Sequence, residues 1–283
     1  MPARIQPTAR QRRLGAELRK LRESAGLSSG EAAGLLGVKQ AQMSQFEAGN
    51  AGINEERVRR LAAHYACADA ELIACLADMA TDTTRGWWES FRGVLPPAFL
   101  DLAELEHHAH FMHVIGTAQV PGLLQTADYA RAVFAFWRPE LPASELAPRV
   151  EHRLRRAAVL NREEPAPYIA VLHESVLQTR VADRGVSRTQ LREILRKSEM
   201  PNVTVRVVPF DVDGFAGAGT TLFYAGGPVA ALDTVQRDAP YGSSFIDADA
   251  QLLAMRTLFR KVEAMALEPG PSQDLIHRLL KEL

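Results

Sequence analysis

The sequence predicts a mainly helical protein, with a five-helix N-terminal domain followed by a C-terminal α+β domain that contains a small antiparallel sheet. In the N-terminal part, apolar residues recur at helical spacing. Further along, long helical stretches alternate with short runs rich in β-branched and aromatic residues. With 283 residues and 47% hydrophobic content, the chain can bury a substantial core. We expect the first domain over residues 1–80, a linker over 81–98 and the second domain over 99–283.

The first predicted helix carries Leu14, Leu18 and Leu21 on one face and basic residues on the others. Residues 1–66 contain 11 Lys and Arg against 6 Asp and Glu, a net charge of +5, whereas the whole chain has a net charge of −1. A basic N-terminal region followed by an acidic remainder suits a protein whose N-terminal region binds a polyanion. A basic helix face that is merely solvated would produce the same charge pattern.

The next two predicted helices are short and closely spaced. Ser28 and Glu31 form a capping box at the start of the first, and Gly37 supplies the left-handed residue that ends it. The second runs over residues 40–48, with Met43 and Phe46 facing inward. This arrangement is typical of a helix-turn-helix, although a helical hairpin in an all-α core is an alternative.

The region of the two short helices contains Gly26-Leu27-Ser28, Ala33, Gly37-Val38, Met43-Ser44 and Glu47 with Gly49. With these matches, the first 80 residues or so resemble the Xre/Cro-type helix-turn-helix family. In that family the second helix of the pair enters the major groove of DNA, and the resemblance therefore implies double-stranded DNA as a partner.

Two sets of side chains are candidates for DNA contact. Those able to reach base edges from the second helix are Gln40, Ala41, Gln42, Ser44 and Gln45. Those placed to hold the phosphate backbone are Ser29, Lys39, Asn54 and, as a weaker candidate, Asn50. Glutamine pairs bidentately with adenine, which favours a half-site containing A·T pairs. The family often has Arg at the position of Gln45, so guanine reading is not expected there.

Two further helices complete the head, one capped by Asn54 and one capped by Asp69. Cys67 and Cys75 are the only cysteines, and we expect both to be reduced residues of helix cores. The following segment, 81–97, concentrates Trp87, Trp88 and Phe91. It has the character of a docking linker, but these aromatic residues are equally well explained as part of the second domain's core.

The second domain contains six predicted helices and five predicted strands. The helices are expected over residues 100–115, 123–137, 144–160, 188–199, 248–266 and 272–283. The strands are expected over residues 168–172, 203–208, 220–224, 229–234 and 244–247.

The second domain also carries a recognisable motif. The run VPGLLQT at 120–126, followed by Tyr129-Ala130-Arg131, is similar to the C-terminal domain of unknown function that accompanies Xre-type heads in actinobacterial WhiJ-type regulators. The resemblance implies a transcription regulator, often an antitoxin-like component with a small partner protein, and implies no known ligand. The chain departs from the family at 239–245, where the family more often has an acidic residue after an aromatic one.

The polar residues of this motif, Gln125, Thr126 and Arg131, are candidates for effector binding. The alternative is that Val120-Pro121-Gly122 forms a structural elbow that fixes how two helices meet.

Histidines are concentrated between residues 107 and 113. Glu106, His107, His108, His110 and His113 are expected on one helix, where some of them could share a face and bind a metal. Solvated helix histidines are the commoner case, and we expect no metal site and no cofactor. His173, Glu174 and Ser175 offer a base and a nucleophile, but consecutive residues are not expected to face one another as a catalytic triad does. We therefore expect no catalytic residues and no enzyme activity.

Taken together, these features predict a sequence-specific DNA-binding transcription regulator that reads a pseudo-palindromic operator as a homodimer. Its second domain would dimerise and bind a small-molecule effector or a partner protein. No apolar run long enough to span a membrane is present, so a cytoplasmic, nucleoid-associated protein is expected. The alternatives are an enzyme or toxin-antitoxin component whose helix-turn-helix only regulates its own expression, and a second domain that is purely a dimerisation module.

Overall fold

The structure is a computed structural model that describes residues 6–82, 84–217, 219, 221–239 and 242–283. The chain divides into two compact units. The first, here called the head unit, comprises the residues up to Trp87 together with Pro228–Leu232, and the second, the sheet unit, comprises Trp88–Gly227 and Asp233–Leu283. Among the described residues, no helix is both long enough and apolar enough to cross a membrane.

The described part of the head unit contains the five predicted helices. They are α1 Ala9–Ser24, α2 Ser29–Leu36, α3 Gln40–Glu47, α4 Glu55–His64 and α5 Ala70–Thr81. The predicted capping box of α2 is confirmed, since the Ser28 hydroxyl accepts from the Glu31 N–H while the Glu31 carboxylate accepts from the Ser28 N–H. Gly37 ends α2 with a φ of 72°, as a left-handed C-terminal residue should.

Helix α1 meets the end of α3 at backbone contact. A Cβ added to Gly15 would lie 2.5 Å from the carbonyl oxygens of both Phe46 and Glu47, so only glycine allows this approach. A Cβ added to Gly49, whose φ is 71°, would lie 2.7 Å from the carbonyl oxygen of Gln11 in α1. Two glycines therefore set the distance between α1 and the end of α3.

A buried ion pair joins the same two helices. The Arg22 guanidinium donates from Nε to Glu47 Oε1 at 2.6 Å and from Nη2 to Glu47 Oε2 at 3.0 Å. Its Nη1 also donates to the Leu27 carbonyl at 2.7 Å. The two side chains are only 9% and 8% exposed, so the pair is largely shielded from water.

Both cysteines lie against the head core and are partly buried free thiols. Cys75 is in α5 as expected, but Cys67 lies in the turn after α4 rather than in a helix. Burial raises the pKa of the Cys75 thiol, which keeps it protonated.

The aromatic residues of the 81–97 segment belong in part to the sheet unit. A 3₁₀ helix spans Trp87–Phe91, in which Trp88 and Phe91 are buried. Trp88 packs on His107, with ring centroids 5.1 Å apart, and Phe91 packs edge-on against His152 at 5.2 Å. These contacts favour the core interpretation of the segment over that of a docking linker.

The described residues of the sheet unit form seven α-helices and six strands. The helices are α6 Pro97–His108, α7 Ala127–Trp137, α8 Ala143–Arg156, α9 Glu174–Gln178, α10 Arg184–Ser198, α11 Asp249–Ala264 and α12 Pro269–Glu282. The strands are β1 Phe111–Gly116, β2 Tyr168–His173, β3 Val203–Val208, β4 Leu222–Gly226, β5 Thr234–Ala239 and β6 Gly242–Ile246.

The strands form one sheet in the order β3-β2-β1-β4-β5-β6. β1, β2 and β3 pair in parallel, whereas β4, β5 and β6 are antiparallel additions on the other side of β1. The fold class is confirmed as mainly helical with a sheet, but the sheet is larger than expected and mixed rather than antiparallel. Helices α10 and α12 cover one face, and α11 covers the other.

The prediction of a helix over 100–115 is wrong at its C-terminal end. Helix α6 stops at His108, and the next residues form β1, the strand that joins the parallel and antiparallel halves of the sheet. Met112 and Val114 lie in the core between the sheet and helices α10 and α12, whereas Ile115 lies in the core between the sheet and α11. The aromatic and β-branched residues Phe111, Val114 and Ile115, followed by Gly116, were the available signal for this strand.

The strand expected over 229–234 is displaced along the chain. A 3₁₀ turn occupies Ala230–Leu232, and β5 begins at Thr234. Val229 is instead buried in the core of the head unit. Thr220, the first residue of another predicted strand, lies outside the described residues, as do positions 240 and 241 of the segment that departs from the family pattern.

The contact at Gly15 leads to a test of stability. We expect Gly15→Ala to lower the free energy of unfolding by about 1–3 kcal/mol, because a methyl group there has no room beside the backbone of α3. The matched control is Gly34→Ala, which lies within α2 with nothing within 4 Å and should be neutral or stabilising by up to about 1 kcal/mol. Urea denaturation of both variants measures this, and equal stability of Gly15→Ala and the wild type would contradict the packing.

Candidate nucleic-acid interface

Helix α3 presents one buried face and one exposed polar face. Met43 is fully buried and Phe46 is 2% exposed, so these two side chains anchor the helix in the head core. The side chains predicted to reach bases are all exposed: Gln40, Ala41, Gln42, Ser44 and Gln45. The described geometry therefore presents this polar set together on the outer side of α3, available to an external partner.

The start of α2 lies beside the start of α3. A Cβ built on Gly30 would be 3.9 Å from the Gln40 side-chain amide, which places that side chain against the first turn of α2. The first backbone N–H groups of a helix have no partner within the helix and carry partial positive charge, which suits a phosphate. Gly30 was not among the sequence candidates, and the available signal was a glycine in the first turn of a capped helix.

The predicted phosphate contacts are arranged unequally. Lys39 is exposed immediately before α3, and Asn50 is exposed just beyond its end. Asn54 is exposed too, but its Oδ1 accepts from the Arg57 N–H at 3.0 Å, which leaves the NH₂ group as its donor. The Ser29 hydroxyl is buried without a hydrogen-bond partner among the described residues, so Ser29 can offer its backbone N–H but not its hydroxyl.

The candidates for effector binding separate into two environments. Gln125 is buried, and its amide bridges the Val120 carbonyl at 2.6 Å and Arg153 Nη1 at 2.9 Å. Thr126 caps α7, and its N–H donates to the Gln190 side chain at 2.8 Å. Arg131 is exposed and pairs with Asp128. Gln125 and Thr126 therefore support the structural elbow, and the structure does not bring Arg131 to them.

Side chains from α10 complete the support of this elbow. Gln190 Nε2 donates to the Leu124 carbonyl at 2.8 Å, and the buried Lys197 ammonium donates to the Leu123 carbonyl at 2.6 Å. Burial lowers the pKa of Lys197, although the nearby Glu193 opposes this effect. Sequence reasoning missed these two residues because they are about 65 positions or more from the motif they serve.

The histidine cluster is not arranged as expected. His107 and His108 end α6, His110 lies in the following turn and His113 lies on β1, so the four do not share a helix face. His113 stacks on Phe259 at 4.5 Å, and burial lowers its pKa to about 4, which keeps the ring neutral. Within the described ranges, no three His, Cys, Asp or Glu side chains are grouped as a metal site would require.

The expectation that His173 and Ser175 cannot face one another is wrong. His173 Nδ1 lies 2.7 Å from Ser175 Oγ, because His173 is the N-terminal cap of α9 and its ring folds back over the first turn. The same nitrogen accepts from the Ser175 N–H at 3.3 Å, and the Ser175 hydroxyl can donate to the Thr117 carbonyl at 3.3 Å. These bonds are those of a helix cap, in which the hydroxyl has a backbone acceptor as well as the ring.

Two protein-family models match the chain. A helix-turn-helix domain matches residues 13–74, and the domain of unknown function DUF5753 matches residues 99–278. No curated protein and no solved structure shows significant similarity to the chain. The helix-turn-helix match covers most of α1, all of α2 to α4 and the first five residues of α5, so the head unit is a DNA-binding type of domain. Because the second match extends over more than half of the chain, the protein belongs to the DUF5753 family, with a helix-turn-helix domain at its N-terminal side.

Proposed function

We propose that this protein is a sequence-specific DNA-binding transcription regulator that inserts α3 into the major groove. The observation that carries the proposal is the exposed polar face of α3, which lies beside the first turn of α2 within a matched helix-turn-helix domain. Groove reading by α3 and phosphate binding at the start of α2 can then occur at the same time.

The side chains on α3 suit base recognition. Gln40, Gln42 and Gln45 each carry a donor and an acceptor, which together match the N6 and N7 of adenine. Ala41 can contact a thymine methyl group, and Ser44 can bond to several bases. We therefore propose a half-site that contains A·T pairs.

We further propose that the protein acts as a homodimer in the cytoplasm, associated with the nucleoid. One head covers half an operator, and two symmetric heads would read half-sites about 34–36 Å apart. The sheet unit offers an apolar surface for assembly at Phe136 and Trp137, which are 77% and 57% exposed and lie with ring centroids 5.7 Å apart. We also propose that the protein is a WhiJ-type regulator and that its sheet unit binds a small partner protein or a small-molecule effector.

The alternative, an enzyme or toxin component whose helix-turn-helix serves autoregulation, has one observation in its favour. This is the 2.7 Å contact between His173 and Ser175. We propose that the contact is structural, because Glu174 accepts from the Phe210 N–H at 2.9 Å instead of orienting the imidazole. An absence of labelling of Ser175 by a fluorophosphonate would support this view, and labelling would favour the alternative.

The recognition role of α3 can be tested with Gln42→Ala and Gln45→Ala. Operator sequences are first selected from a random DNA library with the full-length protein. Each variant should then lose about 1–3 kcal/mol of binding free energy on the selected site and little on scrambled DNA, because only base contacts are removed. Gln251→Ala, an exposed glutamine on α11, is the matched control. Equal losses on both DNAs would contradict the assignment.

The phosphate contact proposed for Lys39 predicts a different pattern. Lys39→Ala should weaken binding to all sequences alike and reduce the slope of log K against log salt by about one unit, because one counterion fewer is released. Fluorescence anisotropy over a salt series measures the slope. Lys281→Ala, an exposed lysine near the end of α12, should leave the slope unchanged. If Lys39→Ala behaved like this control, Lys39 would be removed from the interface.

The dimer proposal predicts that the full-length protein sediments at twice the mass of one chain. Replacing both Phe136 and Trp137 by Ser should weaken self-association by about tenfold or more, since buried aromatic residues dominate such interfaces. Analytical ultracentrifugation gives the association constant, and circular dichroism checks folding. Leu253→Ser, at a side chain 63% exposed on α11, is the control. A monomeric wild type, or a double variant with unchanged association, would contradict the proposal.

A further inference from the structure

Helix α10 of the sheet unit carries a row of arginines on its outer side. Arg184, Arg188 and Arg192 follow one another at intervals of four residues, the spacing that places side chains beside one another along a helix. Arg184 and Arg192 are exposed and Arg188 is half-buried. With a rise of 1.5 Å per residue, these three positions extend over about 12 Å. They are called the arginine row below.

The arginine row has no carboxylate partner among the described residues. Two acidic side chains of the same stretch are engaged elsewhere. Asp183 caps the start of α10, where its carboxylate accepts from the Val186 N–H at 2.9 Å. Glu193 pairs with Arg196 at 2.7 Å and with the buried Lys197 at 3.4 Å. The positive charge of the row is therefore left to solvent or to an external partner.

The row lies in a part of the chain that is otherwise acidic. Residues 67–283 contain 22 Lys and Arg against 28 Asp and Glu, whereas residues 180–199 contain 6 Lys and Arg against 3 Asp and Glu. Positive charge is thus concentrated on α10 and on the residues just before it. Such a local concentration of one sign of charge attracts an anionic partner.

Helix stability does not explain the arginine row. Like charges four residues apart on a helix repel one another, so both neighbouring pairs of the row destabilise α10. Arg184 is also the first residue of the helix, where the positive end of the helix dipole disfavours a cation. The first turn contains no acidic residue that would offset this effect. A bound polyanion would relieve the repulsion.

The chemistry and length of the row suit a chain of phosphates. A guanidinium presents a planar fork of N–H donors that matches the oxygens of a phosphate. One strand of double-stranded DNA has a phosphate every 3.4 Å along the helix axis, so a row of about 12 Å spans roughly three to four of them. A single small anion would neutralise only one member of the row.

The covalent connection to the helix-turn-helix makes a weak contact of this kind effective. Once the head unit holds DNA, a second contact from the same chain becomes intramolecular, with an effective concentration that reaches the millimolar range for short connections. Contacts to phosphates carry no sequence information, and base reading by α3 is therefore not disturbed by them.

We propose that the arginine row of α10 is a second, sequence-independent DNA-binding surface that contacts the phosphate backbone while α3 reads base edges. The inference deepens the proposed function and rests on it, since it assigns to the sheet unit a direct part in operator binding. Its partner is the same double-stranded DNA.

The test measures DNA binding by the full-length protein in which both Arg188 and Arg192 are replaced by Gln. The probe is the selected operator extended on each side by about two helical turns, roughly 20 base pairs, of random sequence. At physiological ionic strength the affinity should fall about tenfold or more, and the slope of log K against log salt should fall by about two units, because two counterions fewer are released. Scrambled DNA of the same length should show the same losses. Fluorescence anisotropy over a salt series measures both quantities.

Two further variants make the test specific. The matched control replaces Arg260 on α11 and Arg278 on α12 by Gln, since both are exposed and have no ion-pair partner among the described residues. It changes the net charge equally and should leave affinity and slope unchanged. Replacing Arg188 and Arg192 by Lys keeps the charge, should restore the slope, and keeps the inference testable if the Gln variant unfolds. Circular dichroism checks folding of every variant.

Unchanged affinity and slope in the α10 variant would overturn the inference and leave the row as a solvated helix face. Equal losses in the control variant would overturn it too, because net charge alone would then explain the effect. Binding of poly-L-glutamate that depends on the row, with DNA binding unchanged, would assign the row to an acidic protein segment and also overturn it.

The outcomes separate this inference from the proposed function. Equal affinity of the wild type for selected and scrambled DNA, with a slope that depends on the row, would defeat the proposed function alone. Sequence-specific operator binding that the α10 variant leaves unaltered would defeat this inference alone.

Discussion

The head unit depends on the backbone contact between α1 and the end of α3. Gly15 and Gly49 allow α1 and the end of α3 to approach to a distance that any Cβ would prevent. The buried Arg22–Glu47 ion pair joins the same two helices. Removing one partner of such a pair leaves an uncompensated buried charge, which typically costs about 3–5 kcal/mol. The junction fixes the packing of α3 against α1, while the polar face of α3 stays exposed.

The sheet unit shows a comparable division between supporting and exposed groups. The polar residues of the VPGLLQT motif satisfy backbone groups of their own turn, with help from Gln190 and Lys197 on α10. Burying these backbone carbonyls without hydrogen-bond donors would lower the stability of the fold. The polar residues of the motif are therefore explained by the hydrogen bonds that they make within it. Arg131, by contrast, is exposed and pairs with Asp128 on the outer side of α7.

Much of the head could be predicted because its signals are local. A capping box, a C-terminal glycine and apolar residues at helical spacing each act within about one helical turn, and all five helices were found from them. The sheet was harder. The sequence predicts a helix through β1 because α6 runs almost directly into it, and the parallel pairing of β1 with β2 and of β2 with β3 has no short-range sign in the sequence.

The sequence by itself determined the helix-turn-helix, the inward anchors Met43 and Phe46 and the set of polar residues on α3, because helical periodicity alone sorts these side chains into faces. Only the tertiary structure decided that His173 reaches Ser175, that the histidines do not share a face and that Lys197 supports the VPGLLQT turn. These relations depend on how segments that are far apart in the sequence pack together, and the local spacing of residues does not encode that packing.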